Sequence, residues 1–353
     1  MKQINKNILF GVICLLSYVG KSQDIHFSQY LETPTSLNPA LYGLNYDNRV
    51  MLNYKNQWGY VATKAYQTMG LSYDGGTGKK LKGTRIGYGI NIFRDIAGDA
   101  KMSSLLPSIG VSLSQQINKK MKVAGGFQYG LNYRTIDATN LRWGAQYQNY
   151  EYNSTALSGE TPARSSVLST DLGAGAHFSY AQSEKYISSK DGSKFDCGFA
   201  AYHFRVPKSS FITMSERLQT RYIFYMNGEF FIPKMRIAID PSLIIMRQGG
   251  WKVNKEFIAG LMFKYVIVDQ SKFTSIKKPS AISFGASYRY NDAIIPAVLM
   301  QYDVYAIGVS YDINVSQLTP ASKLKGGLEI LLRYNVAAGY GRKLGRSDTK
   351  ASY

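Results

Sequence analysis

Few residues in this chain carry side chains that could do chemistry. The 353 residues include three histidines and two cysteines: His26, His177, His203, Cys14 and Cys197. The sequence contains no G-x-S-x-G, H-E-x-x-H or C-x-x-C motif and no P-loop, so nucleophilic, zinc and nucleotide chemistry lack their usual signatures. His177 is predicted on an inward strand face and His203 on an outward one, which argues against a shared metal. We therefore expect neither an enzyme nor a bound metal or cofactor.

Three charged residues in strand-like segments are the other chemical candidates. Asp171, Glu229 and Arg221 alternate with apolar neighbours and are predicted on the opposite strand face. Inward-facing charges of this kind can form a hydrated network that braces a lumen, or a ring that selects permeating ions. No spacing pairs two carboxylates for acid–base catalysis. Both interpretations stay open, and both require strands that hold these side chains inside a barrel.

The first 22 residues are predicted to be a signal peptide. Two lysines precede an apolar stretch over residues 8–19, which is too short to span a membrane, and cleavage is expected near Ser22–Gln23. The alternatives are a lipoprotein attached through Cys14 and a buried N-terminal helix. Cleavage would leave Cys197 as the single cysteine, so no internal disulfide is expected.

The chain is strongly basic. Lys and Arg total 42 against 23 Asp and Glu, which gives a formal net charge of +19. The basic residues are dispersed along the chain, and a secreted protein rarely meets nucleic acid, so we expect no nucleic-acid partner. Anionic outer-membrane lipid, an acidic client protein or peptidoglycan would fit this charge better.

Beyond the signal peptide the sequence alternates with a period of two. In residues 123–134, Phe127 and Leu131 share one face with other apolar residues, whereas Gln128 and Asn132 share the other face with glycines. Such alternation predicts β-strands. Fourteen segments show it, near residues 50–57, 66–73, 85–92, 108–114, 123–134, 171–180, 196–204, 221–230, 236–246, 256–265, 281–290, 296–302, 305–311 and 326–334.

The number and length of these segments predict an all-β fold, a transmembrane antiparallel β-barrel of about 14 strands. The Gly, Ser and Asn of the inner faces cannot fill so wide a ring, so water or a plug must occupy it, and the apolar outer face needs lipid. A secreted β-sandwich or propeller is the alternative. The predicted organisation is a signal peptide (1–22), an N-terminal periplasmic strap or plug (23–48), an outer-membrane barrel (49–334) and a basic periplasmic tail (335–353).

Two regions are predicted to make functional contacts. The longest connection, about residues 135–166, is expected outside the cell because the outer loops of such barrels are the long ones. The candidate contacts with a client or partner are Trp143, Tyr147, Tyr150, Tyr152, His26, Phe27, Tyr30, Asn38 and Pro39. The loop aromatics could equally form an interfacial girdle, and the N-terminal segment could equally be a structural strap.

The order of several short motifs resembles one family of bacterial membrane proteins. Residues 23–30 read QDIHFSQY, residues 37–43 read LNPALYG, residues 53–58 read NYKNQW and residues 72–74 read SYD. Weaker matches are DPSL at 240–243, FGASYR at 284–289 and GVSYD at 308–312. This order resembles the PorP/SprF family of Bacteroidetes outer-membrane proteins. Ile25, Tyr42 and Lys55 depart from residues that the family often has at these positions.

The resemblance implies a non-enzymatic barrel of the type IX secretion and gliding-motility machinery. It implies as partners a large, adhesin-like secreted protein, docked through its type IX C-terminal signal domain, and a periplasmic peptidoglycan-associated protein. Composition and spacing by themselves indicate only the barrel. A passive outer-membrane channel for small solutes therefore stays open as the alternative function.

Overall fold

The computed structural model describes most of the chain after the predicted signal peptide. The described residues are 25–59, 65–77, 83–98, 101–137, 142–148, 151–157, 165–182, 192–206, 211, 217–249, 254–268, 278–317 and 319–337. Within these ranges, no helix combines the length and the apolar character that crossing a membrane requires.

Within the described residues, fourteen long strands form a closed antiparallel barrel. Its strands are β1 (Tyr46–Gln57), β2 (Tyr66–Gly76), β3 (Thr84–Ala97), β4 (Met102–Gln116), β5 (Met121–Thr135), β8 (Ser166–Gln182), β9 (Ser193–Tyr202), β10 (Arg221–Phe231), β11 (Ile237–Gln248), β12 (Lys255–Val268), β13 (Ser280–Arg289), β14 (Ala293–Tyr302), β15 (Tyr305–Asn314) and β16 (Lys325–Ala337). Two-residue strands β6 (Tyr147–Gln148) and β7 (Glu151–Tyr152) form a separate hairpin. Each barrel strand pairs with the barrel strand that follows it in sequence, so that β5 pairs with β8. Pairing of β1 with β16, which places Tyr54 opposite Ile330, closes the ring.

The structure confirms the predicted barrel and the position of each of its fourteen strands. Several strands are longer than the alternating pattern indicated: β4 begins at Met102 instead of near residue 108, and β8 begins at Ser166 instead of near residue 171. The last strand extends to Ala337, beyond the predicted limit at residue 334. These extensions carry less regular alternation, so the period-two pattern under-estimates strand length at both ends of the barrel.

The faces of the strands also follow the prediction. On β5 the Phe127 side chain is 46% exposed, and on β4 Val111 is 56% exposed, whereas the neighbouring Ser112 is 5% exposed. Apolar side chains therefore cover the outside, where lipid replaces water, and small or polar side chains line the inside. One prediction of facing was wrong. β9 ends at Tyr202, and His203 follows in a left-handed conformation (φ 62°) that turns its side chain inward to Asp171.

The longest connection lies at one end of the barrel. Because the strand number is even, β1 begins and β16 ends at the same end, which we call the terminal end. The short connections 117–120, 232–236 and 303–304 also lie at this end. The opposite end, called the loop end, carries the longest connection, between Thr135 and Ser166.

Candidate functional site

Residues 25–45, here called the lumen segment, lie inside the barrel. The chain passes from the loop end, where Ile25 lies beside Arg221, to the terminal end, where Asn45 accepts a hydrogen bond from Lys122. Between them it makes three short turns: a 3-10 turn over Tyr30–Glu32, one helical turn over Pro34–Leu37 and a 3-10 turn over Pro39–Leu41. Proline begins two of these turns, where its fixed φ suits the first helical residue and its missing N–H leaves no bond unmade.

A buried carboxylate holds the loop-end part of the lumen segment. Glu329 on β16 is fully buried and accepts hydrogen bonds from two successive backbone N–H groups, those of Ser28 at 2.6 Å and Gln29 at 3.0 Å. The Ser28 hydroxyl accepts further bonds from Lys55 of β1 at 2.9 Å and from Arg289 of β13 at 3.0 Å. Three strands thus converge on one serine of the lumen segment.

The cations around Ser28 are themselves paired inside the barrel. Asp312 of β15 lies 3.4 Å from Lys55 and 3.2 Å from Arg289, and Glu256 of β12 lies 2.9 Å from Arg289. The side chains of Lys55, Asp312 and Arg289 are each less than 5% exposed. Buried charges need such partners because an unpaired ion in a low-dielectric interior is costly. The network joins four strands at the level where the lumen segment enters.

His26 borders this network. Glu256 favours the charged form of its ring, but burial and the nearby cations Arg289, Lys55 and Arg221 outweigh it and lower the pKa of His26 to about 4. The ring is therefore neutral at pH 7. The 3.8 Å approach of its Nε2 to Glu256 is not an ion pair at that pH.

Asn38 anchors the middle of the lumen segment. Its side chain accepts a hydrogen bond from the Ala40 N–H at 2.8 Å and so caps the following turn, while its amide N–H donates to the carbonyl of Ala176 on β8 at 2.9 Å. Tyr30 contacts a neighbouring part of the same wall, with its hydroxyl 3.0 Å from that of Ser242 on β11, three strands along the ring from β8. The two side chains bond the segment to the arc of the wall that runs from β8 to β11.

Tyr42 fills the lumen near the terminal end. Its ring lies so close to Gly89 and Gly110 that a Cβ at either glycine would collide with it. Its hydroxyl accepts a hydrogen bond from Asn91 at 2.5 Å and donates one to Gln128 at 2.9 Å. The inward glycines of these strands thus make room for a side chain of the lumen segment.

A bidentate ion pair between Arg49 and Asp74 holds the end of the lumen segment. Asp74 of β2 accepts bonds from Arg49 of β1 at 2.7 and 2.9 Å and from the Gly43 N–H at 2.8 Å. Arg85 of β3 donates to the Gly43 carbonyl at 2.6 Å. Gly43 has φ 55°, a conformation that favours glycine, and a side chain there would also collide with the backbone of Gly75.

The candidate contact residues of the N-terminal segment face the barrel wall. Phe27, Tyr30, Asn38 and Pro39 are buried, and His26 is partly buried. In this conformation their side chains bind the strands and offer little surface to another protein.

Two of the candidate contact residues of the long connection, Tyr147 and Tyr152, are exposed. Tyr147 and Tyr152 stand opposite each other in the β6–β7 hairpin with ring centroids 5.4 Å apart, and Arg142 stacks over Tyr152 at 4.9 Å. Tyr147 is 53% exposed. Trp143 is half-buried at the preceding turn, where its N–H donates to Gln146. Tyr150 lies outside the described residues. The hairpin presents paired aromatic rings beyond the barrel.

The charged residues predicted in the lumen are each engaged there. Asp171 lies 2.8 Å from His203, and Glu229 lies 3.2 Å from Lys264. Arg221 lies beside the carbonyl of Ile25. A hydrogen-bonded Asp–His pair and one ion pair link nearby strands, which suits a bracing network better than a single-sign selectivity ring. Among the described residues, no group of three or more His, Cys, Asp or Glu side chains is arranged to hold a metal ion.

The residues that bind the lumen segment most tightly were not among the sequence candidates. Glu329, Asp312, Arg289 and Asp74 each occupy an inward position of a strand, so they look like ordinary lumen polar residues. The available signal was charge: acids and an arginine stand where most inward positions are glycine or serine.

One protein family and several solved structures are similar to this chain. The family model described as type IX secretion system membrane protein PorP/SprF matches residues 19–334. None of the curated proteins matches the chain. Among solved structures, a TodX deltaS2S3 mutant monoaromatic hydrocarbon channel is similar at 9% identity and TM-score 0.47, over 90% of this chain and 96% of that one. The CymD monoaromatic hydrocarbon channel is similar at 10% identity and TM-score 0.43, over 90% and 94%. BamA from Haemophilus ducreyi lacking POTRA domains 1–3 is similar at 9% identity and TM-score 0.41, over 82% and 70%.

Proposed function

Because the chain belongs to the PorP/SprF family of type IX secretion system membrane proteins, we propose that this outer-membrane barrel works by binding. Its client is a large, adhesin-like secreted protein that carries a type IX C-terminal signal domain. The barrel docks that domain and supports the secretion or surface attachment of the client. No catalytic step is part of this function.

The observation that carries the proposal is the occupied lumen. The lumen segment is bonded to walls on opposite sides of the ring, through Glu329, Ser242, Ala176 and Asp74. A channel for solutes needs a continuous aqueous path, and this segment occupies part of the space that such a path would use. A docking protein needs a rigid frame that presents a surface, and cross-bracing of the barrel supplies rigidity.

The surface proposed for the client is the hairpin of the long connection. Tyr and Trp contribute large amphipathic contact area and are enriched at the centres of interfaces. The exposed pair Tyr147 and Tyr152 and the neighbouring Trp143 provide such groups at the loop end. We place the loop end outside the cell because long connections of these barrels face outward. A periplasmic peptidoglycan-associated protein would then meet the terminal end.

Shortening the long connection tests the proposed function. Removal of residues 145–160 should leave an assembled barrel, because this range contributes none of the fourteen barrel strands. Surface display or secretion of one specific large protein should be abolished, while small-solute permeability should barely change. Display is measured by labelling intact cells, and assembly by the gel shift between unboiled and boiled protein.

A substitution pair separates the aromatic contact from the length of the loop. Changing Tyr147 and Tyr152 together to Ala should reduce display at least tenfold. The matched control is Leu157→Ala, since Leu157 is 94% exposed in the same connection but is not part of the aromatic pair. Normal display by the shortened barrel together with reduced solute uptake would contradict docking and favour the channel.

A further inference from the structure

Arg94 is a cation on the lipid-facing side of the barrel. It lies on β3, three residues before that strand ends at Ala97 at the loop end. Across the ladder it stands opposite Met69 of β2 and Leu105 of β4. Met69 is 46% exposed on the outer face, and Arg94 is itself exposed. Because paired residues share a face, the Arg94 side chain projects away from the lumen and into the surroundings of the barrel.

The wall around Arg94 offers no partner for its charge. Its outward neighbours along β3 are Ile92 and Ile96. Within the part of the chain that the structure describes, no residue makes a hydrogen bond or an ion pair with the Arg94 side chain. An arginine on the lipid face of a barrel is costly at the membrane midplane and costs little near the interface, where its guanidinium reaches the head groups. The anion that pairs with Arg94 must then come from the membrane.

The outward rows of the ladder place Arg94 at the edge of the apolar band. The row of Arg94 continues through Leu105 to Tyr133, whose ring is 42% exposed. Tyrosine is typical of the aromatic girdles at membrane interfaces. The next row toward the loop end is mostly polar and consists, on successive strands, of Gln67, Ile96, Ser103 and Thr135. Arg94 therefore lies where apolar residues give way to polar ones.

The height of Arg94 above the other edge of the band agrees with this placement. Ile86 is the outward apolar residue of β3 nearest to the terminal end, and it is 51% exposed. Arg94 follows it by eight residues, which at about 3.3 Å per residue and a strand tilt of about 40° is about 20 Å along the membrane normal. The apolar band of such barrels is about 25 Å tall. The guanidinium thus reaches the level of lipid phosphates at the loop end.

Two further donors lie just beyond Arg94 in the direction of the loop end. Gln67 is opposite Ile96, in the next outward row. Lys101 is exposed in the turn that joins β3 to β4. A guanidinium binds phosphate through two parallel N–H bonds, and lysine adds a mobile point charge. The three side chains combine the groups that recognise a phosphorylated lipid head group.

We propose that Arg94, Gln67 and Lys101 form a binding site for the phosphorylated glycolipid of the outer leaflet. One phosphate binds Arg94 on the wall, and a second phosphate of the same head group binds Lys101 in the turn above it. The assignment to the outer leaflet rests on the outward placement of the loop end that the proposed function also uses. The site itself lies on the outer wall, apart from the β6–β7 hairpin, and does not require a client.

Lipid binding to the full-length barrel tests the site. The purified protein in detergent is titrated with diphosphoryl lipid A, and the lipid-bound fraction is measured by native mass spectrometry. Dephosphorylated lipid A should bind at least tenfold more weakly, since it retains the acyl chains but lacks the anions. Phosphatidylglycerol should bind severalfold more weakly, because its one phosphate cannot engage Arg94 and Lys101 together. Excess inorganic phosphate should not displace lipid A, whose acyl chains pack on the apolar wall.

Substitutions locate the binding. Arg94→Gln should weaken lipid A binding at least tenfold, and Lys101→Gln should weaken it severalfold while leaving phosphatidylglycerol binding unchanged. The matched control is Lys119→Gln, which removes one charge from an exposed turn at the terminal end and should change neither. The gel shift on boiling verifies assembly of each variant. Arg94→Lys, which keeps the charge but not the planar fork, should weaken lipid A binding severalfold and serves if Arg94→Gln does not assemble.

Four results would overturn the proposal. Binding of lipid A to an assembled Arg94 variant as tight as to the wild type would remove Arg94 from the site. An equal loss in Lys119→Gln would show that net charge alone governs binding. Equal binding of phosphatidylglycerol would refute the glycolipid as the occupant, and displacement by inorganic phosphate would make the occupant a free anion.

Discussion

Glu329 shows how a single wall residue can position the lumen segment. Its carboxylate accepts from the N–H groups of Ser28 and Gln29, which are about 300 positions away in sequence. Sequence reasoning could not find this contact. A lone carboxylate in an alternating strand indicates an inward position, but its partners are backbone groups, which carry no residue-specific signal. The pairing of Lys55 with Asp312 was not predicted for the related reason that an ion pair across strands has no fixed spacing.

Replacement of Glu329 by Ala should loosen the loop-end part of the lumen segment. The change leaves two buried N–H donors without an acceptor, and each unpaired donor costs about 1–3 kcal/mol of stability. Amide hydrogen exchange over residues 27–30 should accelerate at least tenfold, as measured by mass spectrometry. Glu229→Ala is the matched control, because Glu229 pairs with Lys264 on the wall. Equal exchange in both variants would show that Glu329 does not hold the segment.

Inward glycines on the strands leave room for side chains of the lumen segment. The sequence predicted strands and faces well, because a period of two follows directly from strand geometry. It did not predict what occupies the lumen, since the three short turns of residues 25–45 have no period and take their conformation from the wall. His203 was misplaced for a similar reason: alternation assumes that the strand continues, and β9 ends one residue earlier.

A glycine substitution tests this fit between wall and contents. Gly110→Ala should displace the Tyr42 ring, since the added methyl would overlap it, and should thereby break the bonds from the Tyr42 hydroxyl to Asn91 and Gln128. Hydrogen exchange over residues 39–45 should rise severalfold. Gly144→Ala is the control, as no atom lies within 4 Å of a Cβ built there. If Gly110→Ala exchanged at the wild-type rate, Tyr42 would not be packed as described.

The whole molecule combines a lipid-facing barrel, a bonded lumen segment and an exposed aromatic hairpin. Family membership assigns it to the type IX secretion machinery, and the barrel places it in the outer membrane. The signal peptide and the basic tail remain predictions, because residues 1–24 and 338–353 lie outside the described part of the chain, and the gliding role remains what the family resemblance implies. The occupied lumen is the feature that separates a docking protein from a channel.

Conductance across a planar bilayer measures that feature most directly. The full-length protein should produce no steady channel openings, because the lumen segment obstructs the path. A variant that lacks residues 27–43, and that still shows the gel shift of a folded barrel, should produce discrete openings. Steady openings of equal size from both proteins would show that the lumen segment leaves the barrel open, and the molecule would then be a channel.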